Sequence, residues 1–316
     1  MNEFLRIQLD YLLYIQHLRE VTSYQFDGLF LFITSFAEYI IPTLLITFFY
    51  WIYNKRYGTF FALNLCLSVF FNQLFKLIAC IYRPWILDSR IQPVPQAMEM
   101  ASGYSFPSGH TATAVVVWGT LARILKSKKF ICSALILLIL AIGFSRNYLG
   151  VHTPQDVLVS LLVGTAIIFA GEKILDWVDK NPNNDLIAYF IYILAIVCLI
   201  IYANVKPYPL DYIDGKLIVD PYKVIKDIYP LTGMVIGFAT GLIIDRRFIK
   251  YEISGSWTSK IIKYVIGNAI LIFAFTVAKP AFISILGYKI GYFCFNFLLG
   301  MYITALYPFI LSKFKA

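Results

Sequence analysis

Nine apolar runs dominate the chain, each near the about 20 residues that a helix needs to cross a bilayer. They cover 28–53, 58–82, 108–125, 130–149, 154–174, 186–203, 229–245, 261–278 and 283–311. Of 316 residues, 59% are hydrophobic and only 14% charged, against roughly 25% charged in soluble chains. One water-soluble core cannot hide that much apolar surface, so lipid is the other solvent. The runs are too long for barrel strands and lack their period-2 alternation. The pattern predicts an all-α, polytopic integral membrane helix bundle of about nine spans. The 23 Tyr and 27 Phe suit interfacial aromatic belts.

Residues 1–27 read differently. Glu3, Arg6, Asp10, Arg19, Glu20 and Asp27 interrupt the segment, while Phe4, Leu5, Leu9, Leu12, Leu13 and Ile15 keep helical spacing. This predicts an amphipathic helix at the membrane interface and not a signal peptide. Cys66, Cys80, Cys132, Cys198 and Cys294 form no C-x-x-C pair and lie in or at the ends of apolar runs. They read as small buried hydrophobes, not as a metal site or disulfide framework. The net charge is +9. Its Lys and Arg residues are scattered over short loops, which points to membrane orientation and not to nucleic acid.

Chemistry concentrates at three places. Lys76 precedes Arg83-Pro84 by about two helical turns, so both cations can face one way. Two fixed cations suit a phosphate, although end-of-span cations also serve as plain headgroup anchors. Tyr104-Ser105-Phe106-Pro107-Ser108-Gly109-His110 precedes the third span. Ser108 can cap that helix and Gly109 permits close backbone approach, making its N-terminus an anion site. A simple Ser cap beside an interfacial His fits the same segment. The third group is Ser145-Arg146, His152 and Asp156. Thr153 reads as an N-cap and Pro154 as the first helical residue. Asp156 can satisfy backbone N–H groups in that first turn, or orient the His152 ring, and a carboxylate has acceptor sites for both. Crossing spans two to five in sequence brings all three groups to one membrane face.

These residues resemble the type 2 phosphatidic acid phosphatases, or lipid phosphate phosphatases, whose site is shared with the vanadium haloperoxidases. Lys76…Arg83-Pro84, Pro107-Ser108-Gly109-His110 and Ser145-Arg146…His152…Asp156 stand in the family's order and spacing. The resemblance covers about 28–174. It implies that His152 is the nucleophile, forming a phosphohistidine, with Asp156 orienting it. His110 would protonate the leaving oxygen and then help activate water. Lys76, Arg83, Ser108, Gly109 and Arg146 would hold the phosphoryl oxygens, with no metal or cofactor. Phosphoryl transfer relies mainly on positioning and charge stabilisation, which such a set supplies.

The expected organisation is thus an interfacial helix at 1–27, a five-helix phosphatase core at 28–174 and a membrane extension at 175–316. In the extension, Gly233, Gly237 and Gly241 recur every fourth residue, a stripe for close helix packing or for a substrate groove. Asp214-Gly215 signals a turn in the 204–228 loop, which either covers the site or merely connects spans. Glu38, a lone carboxylate in the first span, has Lys76 as a candidate partner or else bonds locally. The expected activity is hydrolysis of a lipid phosphate or diphosphate, with membrane lipids as the other partners. A phosphotransferase would use the same intermediate. A non-catalytic transporter or lipid-phosphate-binding module is the reading from another class, kept by the extra spans.

Basic residues set the orientation. With nine spans, one face collects Lys55, Arg56, Arg123, Lys126, Lys128, Lys129, Lys173, Lys180, Arg246, Arg247, Lys250, Lys260, Lys263, Lys313 and Lys315, fifteen of the 27. Three of the remaining twelve belong to the motifs. The positive-inside rule makes the richer face cytoplasmic, so 83–107 and 150–153 are expected outside. In a background cleared of native cysteines, an impermeant thiol reagent on intact cells should label Ser89→Cys and not Ser127→Cys. The reverse pattern overturns this orientation.

Overall fold

The computed structural model describes residues 3–38, 40–101, 103–181, 183–213 and 215–313. Asp214 of the expected turn and Lys315 of the charge count lie outside them. Among the described residues the regular structure is helical apart from a two-stranded hairpin, Tyr212–Ile213 with Lys216–Leu217. Among the described residues, seven helical stretches are long and apolar enough to cross a membrane: Asp27–Tyr53, Lys55–Leu87, Lys129–Tyr148, Pro154–Lys180, Asn184–Val205, Pro221–Ile249 and Trp257–Lys313.

The difference from nine expected spans has two sources. Gly109–Ile124 is helical but has only 16 residues. The last stretch carries two expected spans, 261–278 and 283–311, in one helical run. That run breaks at Gly287, whose φ of 72° and ψ of 173° no helix contains. In a straight helix Phe275 and Phe295 would lie about 30 Å apart. Their ring centroids are 6.1 Å apart, and those of Phe282 and Phe295 are 5.9 Å apart. The chain therefore doubles back at Gly287, several residues after the expected boundary. Nothing but glycine's freedom at positive φ allows so tight a reversal there.

The chain forms two compact units that alternate along the sequence. One comprises 1–41, 67–170 and 207–224 and carries all three motifs. Its N-terminal helix, Glu3–Val21, buries the stripe Leu9, Leu12 and Ile15. Leu9 and Leu12 cluster with Ile91, and Ile15 joins Val94, Ala97, Leu149 and Val151. The apolar face thus packs on the loops between spans, while Phe4, Ile7, Tyr14 and Val21 remain exposed. Two glutamines tie this helix to Pro154–Lys180: the Gln155 N–H donates to Gln8 Oε1 at 2.8 Å, and Gln8 Nε2 donates to Gln155 Oε1 at 3.3 Å. Arg19 pairs with Asp27 and donates to the Gln92 carbonyl. Ala37, Ala114 and Ile142 form a third buried cluster.

The other unit comprises 42–66, 171–206 and 225–316. Buried Asp245 anchors it, accepting from the Tyr50 hydroxyl, from Lys55 Nζ at 2.5 Å and from the Tyr251 N–H at 3.0 Å. Trp51 is fully buried and donates through Nε1 to the Ile303 carbonyl at 2.8 Å. The glycine stripe has the packing role. A Cβ on Gly233 would stand 2.4 Å from the Phe293 carbonyl oxygen, and one on Gly237 2.1 Å from that of Phe297. The helices Ile228–Ile244 and Lys279–Met301 therefore meet backbone to backbone. Gly237→Val should cost about 1–3 kcal/mol of stability, the usual penalty of overpacking. Gly28→Ala, with nothing within 4 Å, should leave the thermal midpoint of the detergent-solubilised protein unchanged.

Candidate active site

The site begins with local capping. Lys129–Tyr148 ends just after Arg146, and the chain turns through Gly150 at φ 73° before Pro154 starts the next helix. His152 sits in that turn, 2% exposed. Its main chain is pinned on both sides: its N–H donates to the Arg146 carbonyl at 3.3 Å, and its carbonyl accepts from Asn147 Nδ2 at 2.9 Å. The Thr153 N–H donates to Asp156 Oδ2 at 2.9 Å, and the Asp156 N–H donates back to Thr153 Oγ1 at 3.4 Å. This reciprocal cap is what the spacing of Thr153 and Asp156 predicts. The same Asp156 oxygen lies 3.2 Å from His152 Nδ1. Both readings of Asp156 therefore hold at once.

The opposite ring nitrogen, His152 Nε2, lies 3.0 Å from Arg83 Nη1. A guanidinium can only donate, so Nε2 is the acceptor and the ring proton resides on Nδ1, facing Asp156. That assignment leaves a lone pair on Nε2 directed at the cation. Burial, with the Arg83 charge beside it, holds the imidazole far below its usual range, to about 3, against the opposing pull of Asp156. The ring is neutral at physiological pH.

Arg83 is 3% exposed and is steered by two carbonyls, donating from Nε to Gly103 at 3.2 Å and from Nη1 to Val151 at 3.0 Å. Lys76, near the end of Lys55–Ala79, donates from Nζ to the Tyr104 carbonyl at 2.9 Å. Arg146 is 1% exposed and donates from Nη1 to Thr34 Oγ1 at 2.9 Å. Its Nε is buried with no hydrogen-bond partner. Ser108 caps Gly109–Ile124, accepting from the Thr111 N–H at 3.4 Å. The Ser108 N–H donates to the Asp156 main-chain carbonyl at 3.2 Å, which holds that helix start beside the His152 turn. The first N–H groups of this helix, Gly109 and His110 among them, have no partner within it. His110 lies in the electrostatic field of Arg146, His152, Arg83 and Lys76. The eight candidate site residues, Lys76, Arg83, Ser108, Gly109, His110, Arg146, His152 and Asp156, all fall in the first unit.

Glu38 acts electrostatically on Arg146, while Lys76 has the Tyr104 carbonyl. The sequence reading assigned no role to Ser105, Thr34 or Asn147. Ser105 is fully buried and donates from Oγ to Asp156 Oδ2 at 2.6 Å. Its only sequence signal was its place three residues before Ser108. Among the described residues, no three His, Cys, Asp or Glu side chains stand together as metal ligands.

The PAP2 superfamily model matches residues 57–180, and the model of the PAP2 superfamily phosphatase transmembrane extension matches 229–316. The chain belongs to the PAP2 superfamily. It is an integral, multi-pass membrane enzyme, a lipid phosphate phosphatase. An undecaprenyl-diphosphatase of Sulfolobus acidocaldarius is 26% identical over 47% of this chain and 70% of its own length. One of Bacillus subtilis is 29% identical over 45% of this chain and 72% of its own. A phosphatidylglycerophosphatase B of Bacillus subtilis is 31% identical over 30% of this chain and 49% of its own. No solved structure matches the chain.

Because His152 is held to about 3, lowering pH from 8 to 5 should not protonate it. In the substrate-free protein with labelled histidines, its ring signals should stay those of the neutral Nδ1–H tautomer across that range. A ring titrating near 6.5 contradicts the assignment. Asp156→Asn should cost activity by about 10⁴, as loss of the orienting carboxylate does in a hydrolytic triad.

Proposed function

We propose that this phosphatase hydrolyses its lipid substrate through a phosphohistidine on His152, without a metal ion. The observation that carries the reading is the neutral His152 ring, with Nδ1 on Asp156 and the Nε2 lone pair beside Arg83. In the first step Nε2 attacks phosphorus in line and the bond from phosphorus to the lipid oxygen breaks. His110, which takes up a proton as the anionic phosphate offsets the cations around it, gives that proton to the lipid oxygen and becomes neutral. In the second step water attacks the phosphohistidine, His110 takes the water's proton, and the electron pair of the P–N bond returns to Nε2. Inorganic phosphate leaves and the starting tautomer is restored. Arg83, Arg146 and Lys76, with Ser108, Gly109 and the helix N-terminus behind them, bind the equatorial oxygens that gain charge in both steps. These fixed cations do the work that Mg²⁺ does in other phosphoryl-transfer sites.

The substrate reading is a lipid diphosphate that loses its terminal phosphate. The two undecaprenyl-diphosphatases, each matched over most of its length, support it. Phosphatidylglycerol phosphate is the second candidate, supported by the third relative's name. The catalytic core is the 28–174 region, with 175–316 as its membrane extension. The site opens on the extracytoplasmic face, a reading supported by the basic-residue bias, so the lipid is taken from the outer leaflet.

His152→Ala should leave a folded protein with negligible turnover, a loss on the order of the 10⁶ seen when a hydrolase loses its nucleophile. Activity should persist in excess EDTA, and vanadate should inhibit by mimicking five-coordinate phosphorus. Retained turnover in the variant, or Mg²⁺-restorable loss in EDTA, overturns the mechanism. A side-by-side kcat/KM for farnesyl diphosphate and phosphatidylglycerol phosphate decides between the two substrates.

A further inference from the structure

Ser105 makes two contacts that the mechanism above leaves unused. Its hydroxyl lies 2.6 Å from Asp156 Oδ2 and 3.3 Å from His152 Nδ1. The residue is fully buried, and its N–H donates to the Ile81 carbonyl at 2.8 Å, two residues before Arg83. Ser105 is therefore held by its main chain and aims its side chain at the hydrogen bond between the carboxylate and the ring. A hydroxyl has one proton to donate and lone pairs to offer. The proton goes to Asp156 Oδ2, since a 2.6 Å contact to a carboxylate is a charge-assisted bond. A lone pair then faces Nδ1–H, which is shared between Oδ2 at 3.2 Å and Oγ at 3.3 Å.

We propose that Ser105 is a positioning residue for dephosphorylation, keeping the proton on His152 Nδ1 while the phosphohistidine is hydrolysed. The proposal rests on the phosphohistidine reading given above. Once Nε2 bonds to phosphorus, the ring becomes cationic and its Nδ1 proton becomes acidic. Asp156 Oδ2 is the base within reach. If the proton crosses to Oδ2, the ring turns into a neutral phosphoimidazole. Water would then have to expel an imidazolate, a poor leaving group. If the proton stays, breaking the P–N bond returns the electron pair to Nε2 and releases neutral imidazole. Two donors withdraw charge from Oδ2, the Thr153 N–H and the Ser105 hydroxyl. Each hydrogen bond to the ionised carboxylate favours that ionised form. Ser105 thus acts more on the second step than on the first, where the attacking ring is neutral and needs only orientation.

The partition between the two steps is the test. Farnesyl diphosphate labelled with ³²P in its terminal phosphate is mixed with the full-length, detergent-solubilised enzyme and quenched in alkali, where phosphohistidine survives. Ser105→Ala should form phosphoenzyme near the wild-type rate and break it down more slowly. Its kcat should fall by about 10–100-fold, the usual cost of losing an outer-shell partner, and its steady-state phosphoenzyme should rise. Ser105→Gly should show the same partition, and Ser105→Thr, which restores the hydroxyl, should reverse it. Unchanged vanadate affinity in these variants shows that the site is still assembled. Equal slowing of both steps, or no rise in phosphoenzyme when wild type is labelled at His152, overturns the role of Ser105 alone. No label at His152 in any protein overturns the phosphohistidine reading and this proposal with it.

Discussion

One carboxylate oxygen organises the site. Asp156 Oδ2 accepts from the Thr153 N–H, from His152 Nδ1 and from the Ser105 hydroxyl. The first bond starts the Pro154–Lys180 helix, the second fixes a ring, and the third ties in the segment before Gly109–Ile124. Helix capping and ring orientation thus share one acceptor, which places His152 at a helix start. A buried carboxylate is costly unless hydrogen-bonded, and this one draws its three bonds from the groups that it aligns. The Ser108 N–H on the Asp156 main-chain carbonyl adds a second tie between the same two helix ends.

The charge balance follows from the bilayer. Burying Arg83 and Arg146 at 3% and 1% exposure demands compensation, and Asp156 acts on the first and Glu38 on the second. Much of the rest comes from neutral acceptors: the Gly103 and Val151 carbonyls for Arg83 and the Thr34 hydroxyl for Arg146. Such partners orient the cations without neutralising them. A site built this way keeps excess positive charge, and with burial that charge keeps the adjacent imidazole neutral.

Much of this was legible in the sequence because the signals are local. Run length gives spans, and Thr153-Pro154 with Asp156 gives a cap. The spacing of Lys76 to Arg83 and of Arg146 to His152 carries the family resemblance. What was not legible depends on contacts between distant segments. The reversal at Gly287 was displaced from the expected boundary because the helix runs on past Pro280, which follows the wide turn Ala274–Ala278 at a first-turn position where its missing N–H costs little, so hydropathy alone put the break too early. The N-terminal helix was read as amphipathic, which it is, but periodicity cannot say whether lipid or protein covers the apolar stripe. Leu9, Leu12 and Ile15 cover the loops beside the site. Ser105 was visible only as one letter in a motif, since its role needs a fold that returns it to Asp156 from 51 residues away.

The central claim is that phosphorus is attacked by His152 before it meets water. Stereochemistry at phosphorus tests it most directly, because each in-line displacement inverts configuration. With a substrate whose transferred phosphoryl group is made chiral by oxygen isotopes and sulfur, hydrolysis in isotopically labelled water should give net retention. Two inversions, one at His152 and one at water, produce that result. Net inversion would mean a single displacement by water, and would contradict the covalent role of His152.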